Sequence, residues 1–316
     1  MKLVIGIASM QSPSYKSSVL RLPGIDATEM ACPATGLTRR AVMAPVCGVA
    51  LATFGKAKVG GVELGVCGRP ADFANAEKYG FDYFEPSGSG IAAMTDSEFQ
   101  AFRDQVKASR IYCRSVITLI GGSLKVVGPD ANVDALTNYL DATLERCRNV
   151  GVTVAVWGSA GSRRVPEGYS RDTAWEQIKI FLKRAGDVAR SKGIVIGVEP
   201  LRKQESNIIN TGAEALRLVN ELHHQQVKMI IDYYHLRTEN EDPEIVRTAK
   251  DAIVHLHFAN PNGRRWPRSR DEDPVYRKFF EIVKQIRYKG GISIEGNGSF
   301  EADGAASMAF FRSVLS

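Results

Sequence analysis

Histidine is scarce in this chain, its cysteines stand apart, and long apolar runs are missing. Five histidines and five cysteines occur among 316 residues. No two cysteines have C-x-x-C spacing, which argues against a disulfide scaffold or a ribbon-type zinc site. No apolar run approaches the roughly 20 residues that span a bilayer. No G-x-G-x-x-G follows the first strand-like run, and Gly121-Gly122 is too short to cradle a phosphate. The remaining composition, 44% hydrophobic and 24% charged, excludes a disordered or fibrous chain.

Positive charge is in excess at +6, but it is concentrated. Residues 1–60 hold Lys2, Lys16, Arg21, Arg39, Arg40, Lys56 and Lys58 against Asp26 and Glu29, a net of +5 that leaves +1 for everything after them. The main body therefore has no electrostatic footprint for nucleic acid. Within the leader, Thr38-Arg39-Arg40-Ala41 precedes an uncharged stretch over 42–54, and Ala50-Leu51-Ala52 has the small-residue pattern of a cleavage site. A charged start, a short apolar segment and A-x-A are the parts of an export signal. The paired arginines resemble a twin-arginine signal. Residues 1–60 are thus expected to be a leader cleaved near Ala52, with Met30 as the initiator and Thr53 as the mature N-terminus. That places the protein in the periplasm; without a signal it would be cytoplasmic.

From residue 61 onward, short β-branched or apolar runs alternate with segments of helical period. Strands are expected at 62–67, 83–86, 111–119, 152–157, 194–199, 228–232, 253–258 and 292–295. Helices are expected near 70–79, 95–108, 132–149, 172–192, 212–223, 243–251, 274–287 and 301–314. Leu136, Tyr139, Leu140, Leu144 and Cys147 form an apolar stripe at mostly helical spacing. Thr211 and Glu214 have capping-box spacing. Gly151, Gly193 and Gly290 stand where a left-handed helix terminus is wanted. Eight βα units of about 32 residues each fit a single (β/α)₈ barrel over 61–316.

Chemistry in such a barrel sits at the C-terminal ends of its strands. The last four expected strands end on or beside Glu199, Asp232, His257 and Glu295. Buried carboxylates need compensation, so the four together imply a cation. Three carboxylates and one imidazole favour Mn²⁺, Mg²⁺ or Co²⁺ over a thiolate zinc site, with Zn²⁺ still compatible. Glu199 and Glu295 approach from different sides, as an acid–base pair serving opposite faces of a substrate would. His255 alternates to the same face but deeper, as support or core. His223 and His224 close a surface helix. Arg163 and Arg164 are either an anion-binding pair or a packed loop. Trp157 and Trp266 are expected to wall a sugar pocket with apolar surface, with barrel filling the equal alternative for Trp157.

These same residues carry a resemblance. The chain resembles the sugar phosphate isomerase/epimerase family of xylose isomerase-like barrels, ketose 3-epimerases included. The matching pieces are Gly158-Ser159 with Arg163-Arg164-Val165-Pro166-Glu167-Gly168, then Val198-Glu199-Pro200-Leu201 with Glu205, Asn207 and Asn210-Thr211. Next come Asp232-Tyr233-Tyr234-His235, His255-Leu256-His257 with Gly263-Arg264, and Ser293-Ile294-Glu295. The resemblance implies that Glu199, Asp232, His257 and Glu295 bind one divalent metal, with Glu199 and Glu295 as the catalytic acid–base pair. It also implies that Glu205, His235 and Arg264 contact substrate oxygens. The chain departs from the ketose 3-epimerase pattern at Arg202-Lys203, where an Asn-Arg pair is usual, at Asn260, where an acidic residue is usual, and at Arg264, offset by one with Arg265 beside it.

The expected function is a metal-dependent isomerase or epimerase of a small sugar or ketose-like substrate, working through an enediolate. Its partner would be that small molecule, with no nucleic acid and no membrane span; a homo-oligomer stays open. A keto-inositol dehydratase would begin with the same proton abstraction. An apurinic endonuclease-like phosphodiesterase would want more histidines and a basic face, and a non-catalytic sugar-binding barrel could dispense with Glu199 or Glu295. Intact-mass measurement of protein exported from its native host should find a chain beginning at Thr53; a fully processed chain that keeps Met1 contradicts the leader reading.

Overall fold

The computed structural model describes residues 59–316. The leader, its paired arginines and the cleavage pattern at Ala52 lie outside them. The first seven β-segments are β1 (Glu63–Cys67), β2 (Tyr83–Glu85), β3 (Tyr112–Cys113), β4 (Ser115–Val116), β5 (Val154–Trp157), β6 (Val195–Val198) and β7 (Val227–Asp232). They are followed by β8 (Ile253–Phe258) and β9 (Gly291–Ile294). All pair in parallel, in the order β3-β2-β1-β9-β8-β7-β6-β5-β4. The helices between them are α1 (Phe73–Tyr79), α2 (Gly88–Ala93), α3 (Asp96–Ala108), α4 (Val133–Asn149), α5 (Ala160–Arg163) and α6 (Arg171–Lys192). The rest are α7 (Gly212–Leu222), α8 (Tyr233–Thr238), α9 (Glu244–Thr248), α10 (Tyr276–Gln285) and α11 (Phe300–Leu315). This is the expected α/β barrel.

Nine segments make eight strand positions, because the run expected at 111–119 is split at Arg114. The Arg114 carbonyl accepts from both Thr153 N and Val154 N, and its guanidinium meets Glu63 at 2.5 Å. One residue thus absorbs a step in register where the ring closes. Closure is completed beyond it: Ile117 bridges Ser87 in parallel, and the Ile117 amide donates to the Pro86 carbonyl.

Local signals account for most of the helix ends. Thr95 and Glu98 cap α3 reciprocally. Asn132 caps α4 and Ser170 caps α6, while Gly193, as expected, ends α6 at φ +68°. The Thr211–Glu214 box is only half formed. Thr211 accepts from Glu214 N, while the Glu214 carboxylate takes the Asn210 amide instead. Gly290 is not the left-handed terminus expected of it. Helix α10 stops at Gln285, and Arg287 turns the chain at φ +54°. The unanticipated helices α2, α5 and α8 each span six residues or fewer and follow β2, β5 and β7 directly. They are too short for a periodic pattern to register.

The core has two layers. Inside the barrel, Val154, Val156 and Ile230 form a separate floor with Val254. Val254 is the residue left over where the β7–β8 register slips between Met229 and Ile230. That bulge restores His255 and His257 to the inward face above the floor. Between barrel and helices, Phe258 lies against Tyr233, Tyr276, Phe279, Phe280, Phe310 and Phe311. This packing fixes β8, and with it His257. Phe258→Ala should cost about 3–5 kcal/mol of unfolding free energy in a urea titration; a loss under about 1 kcal/mol would contradict the packing role.

Candidate active site

Glu199 follows β6, Asp232 ends β7, His257 lies in β8 and Glu295 follows β9. Inward-facing positions at the C-terminal ends of four adjacent strands converge, so the four side chains share one space. Each offers a donor atom, and those atoms lie within 4.8 Å of one another. His257 is the centre. Its Nδ1 is 3.2 Å from Glu199 Oε1 and 2.9 Å from Glu295 Oε2. Gly158 makes room for Glu199: a Cβ there would collide with Glu199 Oε2. Behind the same strand end, Arg163 donates to the Glu199 carbonyl at 2.7 Å and the Trp157 carbonyl at 3.3 Å.

Asp232 does two things at once. Oδ1 accepts from Tyr234 N at 2.7 Å and so starts α8, while Oδ2 faces Arg264 at 3.3 Å and His235 Nε2 at 3.5 Å. Arg264 also reaches Glu295 Oε2 at 3.0 Å and Glu205 Oε1 at 3.6 Å. Held at φ +50°, it turns into the site, whereas exposed Arg265 bonds back to the Asn262 carbonyl. The offset arginine is therefore Arg264. Asn260 is buried and donates to Glu272, away from the cluster.

Burial and crowding set the proton affinities. Burial, helped by the charge of Glu295, pushes Glu199 above the usual carboxylate range. Burial likewise lifts Asp232 to about 6, against the pull of Arg264. Burial would raise Glu295 too, but Arg264 and His257 outweigh it and hold its carboxyl low. His257 stays protonated well above its usual range despite burial, because Glu85 and Glu295 surround it. Burial keeps His235 neutral. Its Nδ1 accepts from Arg202 N at 3.3 Å, so its hydrogen sits on Nε2, a buried donor without a hydrogen-bond partner that faces the site.

The donor set fits a hard divalent ion. Three carboxylates with one imidazole converge, two of the carboxylates are held against their preference for the charged form, and the buried Oε2 of Glu295 makes no well-formed hydrogen bond. Glu205, His235 and Arg264 border this cluster. Trp157 does not. It is fully buried on the outward face of β5 against Phe181, with the Arg163 guanidinium over its ring, so it supports the strand rather than walling a pocket. Trp266 similarly packs on Phe81 and Phe300. Arg163 is fully buried and Arg164 donates to the Glu205 carbonyl, so the pair is loop packing, not an anion clamp. His223 is exposed, and His224 Nε2 lies 3.3 Å from Asp187 Oδ1, away from the site. One site residue escaped the sequence reading. Glu85, at the end of β2, is fully buried and bonds both His255 and His257. The only available signal was its strand-end position, and a lone glutamate there has many other uses.

Residues 73–314 match the family described as xylose isomerase-like TIM barrel. The chain belongs to that family. It is 26% identical over 231 residues to 3-dehydro-D-guloside 4-epimerase of Escherichia coli, covering 71% of this chain and 85% of that one. It is also 26% identical over 227 residues to D-psicose 3-epimerase of Agrobacterium fabrum, covering 69% and 75%. A crystal structure of D-psicose 3-epimerase in the presence of D-fructose superposes with a TM-score of 0.71 at 17% identity, over 80% of this chain and 99% of the other. Family and relatives make this chain an enzyme of the sugar isomerase/epimerase class.

Asp232 gives the cluster a pH dependence. Its folded value, about 6, lies above its unfolded one, so its ionisation removes stability from the metal-free protein as pH rises through 6. A cation needs the ionised form, so binding at lower pH must displace a proton. The proton on His257 must leave as well, so divalent-metal affinity, followed by calorimetry, should already fall as pH drops towards 6 and should fall more than about tenfold per pH unit below it. An affinity constant from pH 5 to 8 would contradict this.

Proposed function

We propose that the protein is a divalent-metal-dependent epimerase or isomerase of a ketose-like sugar. The supporting observation is that Glu199 and Glu295, carried by strands on either side of β8, both reach His257 Nδ1 in one cluster with Asp232. Glu199, Asp232, His257 and Glu295 would hold the ion. When bound, it would supply Lewis acidity to a carbonyl and the neighbouring hydroxyl.

The chain's own groups supply the proton chemistry. One glutamate, as carboxylate, takes the hydrogen from the carbon beside the carbonyl, and the electron pair moves onto the carbonyl oxygen to give an enediolate. The other glutamate, as carboxylic acid, returns a proton to that carbon from the opposite face, inverting it with no net redox change. The His235 Nε2–H donates to a substrate oxygen, and Arg264 and Glu205 orient neighbouring hydroxyls. The names of the epimerase relatives favour a ketose or keto-glycoside substrate. Mn²⁺ suits the donor set best. The leader, read as an export signal, favours a free over a phosphorylated sugar.

Metal-stripped protein incubated with ketoses and keto-inositols in D₂O should place deuterium beside the carbonyl only after Mn²⁺ is restored. Glu199→Gln should lower the exchange rate at least about 100-fold. The product then distinguishes epimerase or isomerase from keto-inositol dehydratase. Metal-loaded protein that exchanges nothing, or a Glu199→Gln variant that exchanges normally, overturns the proposal.

A further inference from the structure

Glu85 is buried beneath the proposed metal cluster, and its carboxylate is divided between two histidines. Oε1 is 3.1 Å from His257 Nε2, and Oε2 is 2.9 Å from His255 Nε2. Oε2 also accepts the Ser293 hydroxyl. Because Ser293 donates there, its oxygen accepts from Tyr83 OH, 2.7 Å away. Tyr83 fits into the barrel because Gly65 beneath its ring has no side chain; a Cβ would collide with the ring. Glycine, tyrosine, serine and glutamate thus form one buried support, drawn from β1, β2 and β9.

A carboxylate accepts and does not donate. Both histidines must therefore carry a hydrogen on Nε2. When His257 has only that hydrogen, its lone pair is on Nδ1, the atom that faces Glu199 and Glu295. The alternative tautomer would present an N–H to the cluster and leave two acceptors opposed at Glu85. We infer that Glu85 is the positioning residue of the metal centre, fixing the His257 tautomer and ring so that Nδ1 is the ligand atom. This inference rests on the metal reading above. It adds that the amide cannot replace the carboxylate without turning a partner. Gln has one accepting end and one donating end: with its NH₂ toward His257 it drives the His257 hydrogen onto Nδ1, and with its NH₂ toward His255 it requires the His255 hydrogen to move and the Ser293 hydroxyl to turn away.

Two measurements on the full-length protein test this. The first is calorimetric Mn²⁺ affinity of the wild type and of Glu85→Gln, with circular dichroism as a check on folding. Glu85→Gln should bind Mn²⁺ about 10- to 100-fold more weakly while keeping its fold. The second is ¹⁵N-histidine NMR of the Zn²⁺-loaded wild type, which reads the tautomer without any variant. His257 should keep its hydrogen on Nε2, with Nδ1 shifted by the metal. Equal Mn²⁺ affinity in Glu85→Gln, or a His257 hydrogen on Nδ1 in the loaded wild type, overturns the role of Glu85 and leaves the metal reading intact. A wild type that binds neither ion overturns the metal reading, and the assignment of Glu85 goes with it.

Discussion

Acidic side chains crowded into the mouth of a parallel barrel repel one another. Most of what surrounds Glu199, Asp232 and Glu295 answers that repulsion. Arg264 spans Asp232 and Glu295. His257 meets both Glu199 and Glu295 through Nδ1, and its proton affinity is raised well above the usual range. Arg163 is buried behind Glu199 and anchors its carbonyl, although burial lowers its own proton affinity to about 10. Such an arrangement is costly for a scaffold, since unpaired buried charge destabilises a fold. It suits a site whose charge is completed by a bound cation and whose work is the movement of protons.

The barrel makes this crowding possible. Parallel strands carry all their C-terminal ends to one rim, so residues dozens of positions apart in sequence meet without any long loop. Rigidity comes from behind the rim. Phe258 locks β8 into an aromatic layer, the floor of Val154, Val156 and Ile230 fills the barrel below, and the bulge at Val254 sets His255 and His257 to one face. Asp232 links the two levels, because the carboxylate that faces the cluster also begins α8 and thereby sets His235, three residues on.

Most of the architecture was legible because it is periodic. The alternation of apolar runs with helical segments located all eight strand positions and, among the described residues, helices α1, α3, α4, α6, α7, α9, α10 and α11 to within a few residues. Four strand-end ligand types at roughly one-unit intervals gave the cluster of Glu199, Asp232, His257 and Glu295. What was misread lacked a period. The short helices α2, α5 and α8 are one or two turns long. The left-handed turn fell on Arg287 rather than Gly290, because α10 ended early. Trp157 was expected inside the barrel, as pocket wall or filling, and the phase of β5, with Val154 and Val156 inside, turns it outward toward α6.

The sequence by itself determined the barrel and the identity of the four converging donors. Strand period and unit length fix which residues reach the rim, whatever the details of packing. Tertiary structure alone decided which side chains support them. Glu85, Ser293 and Tyr83 are more than 200 residues apart along the chain at their widest, and only barrel closure brings β2 and β9 against the histidines of β8. Hydrogen bonds across a closed sheet depend on register, and no local pattern of residues records the register of distant strands.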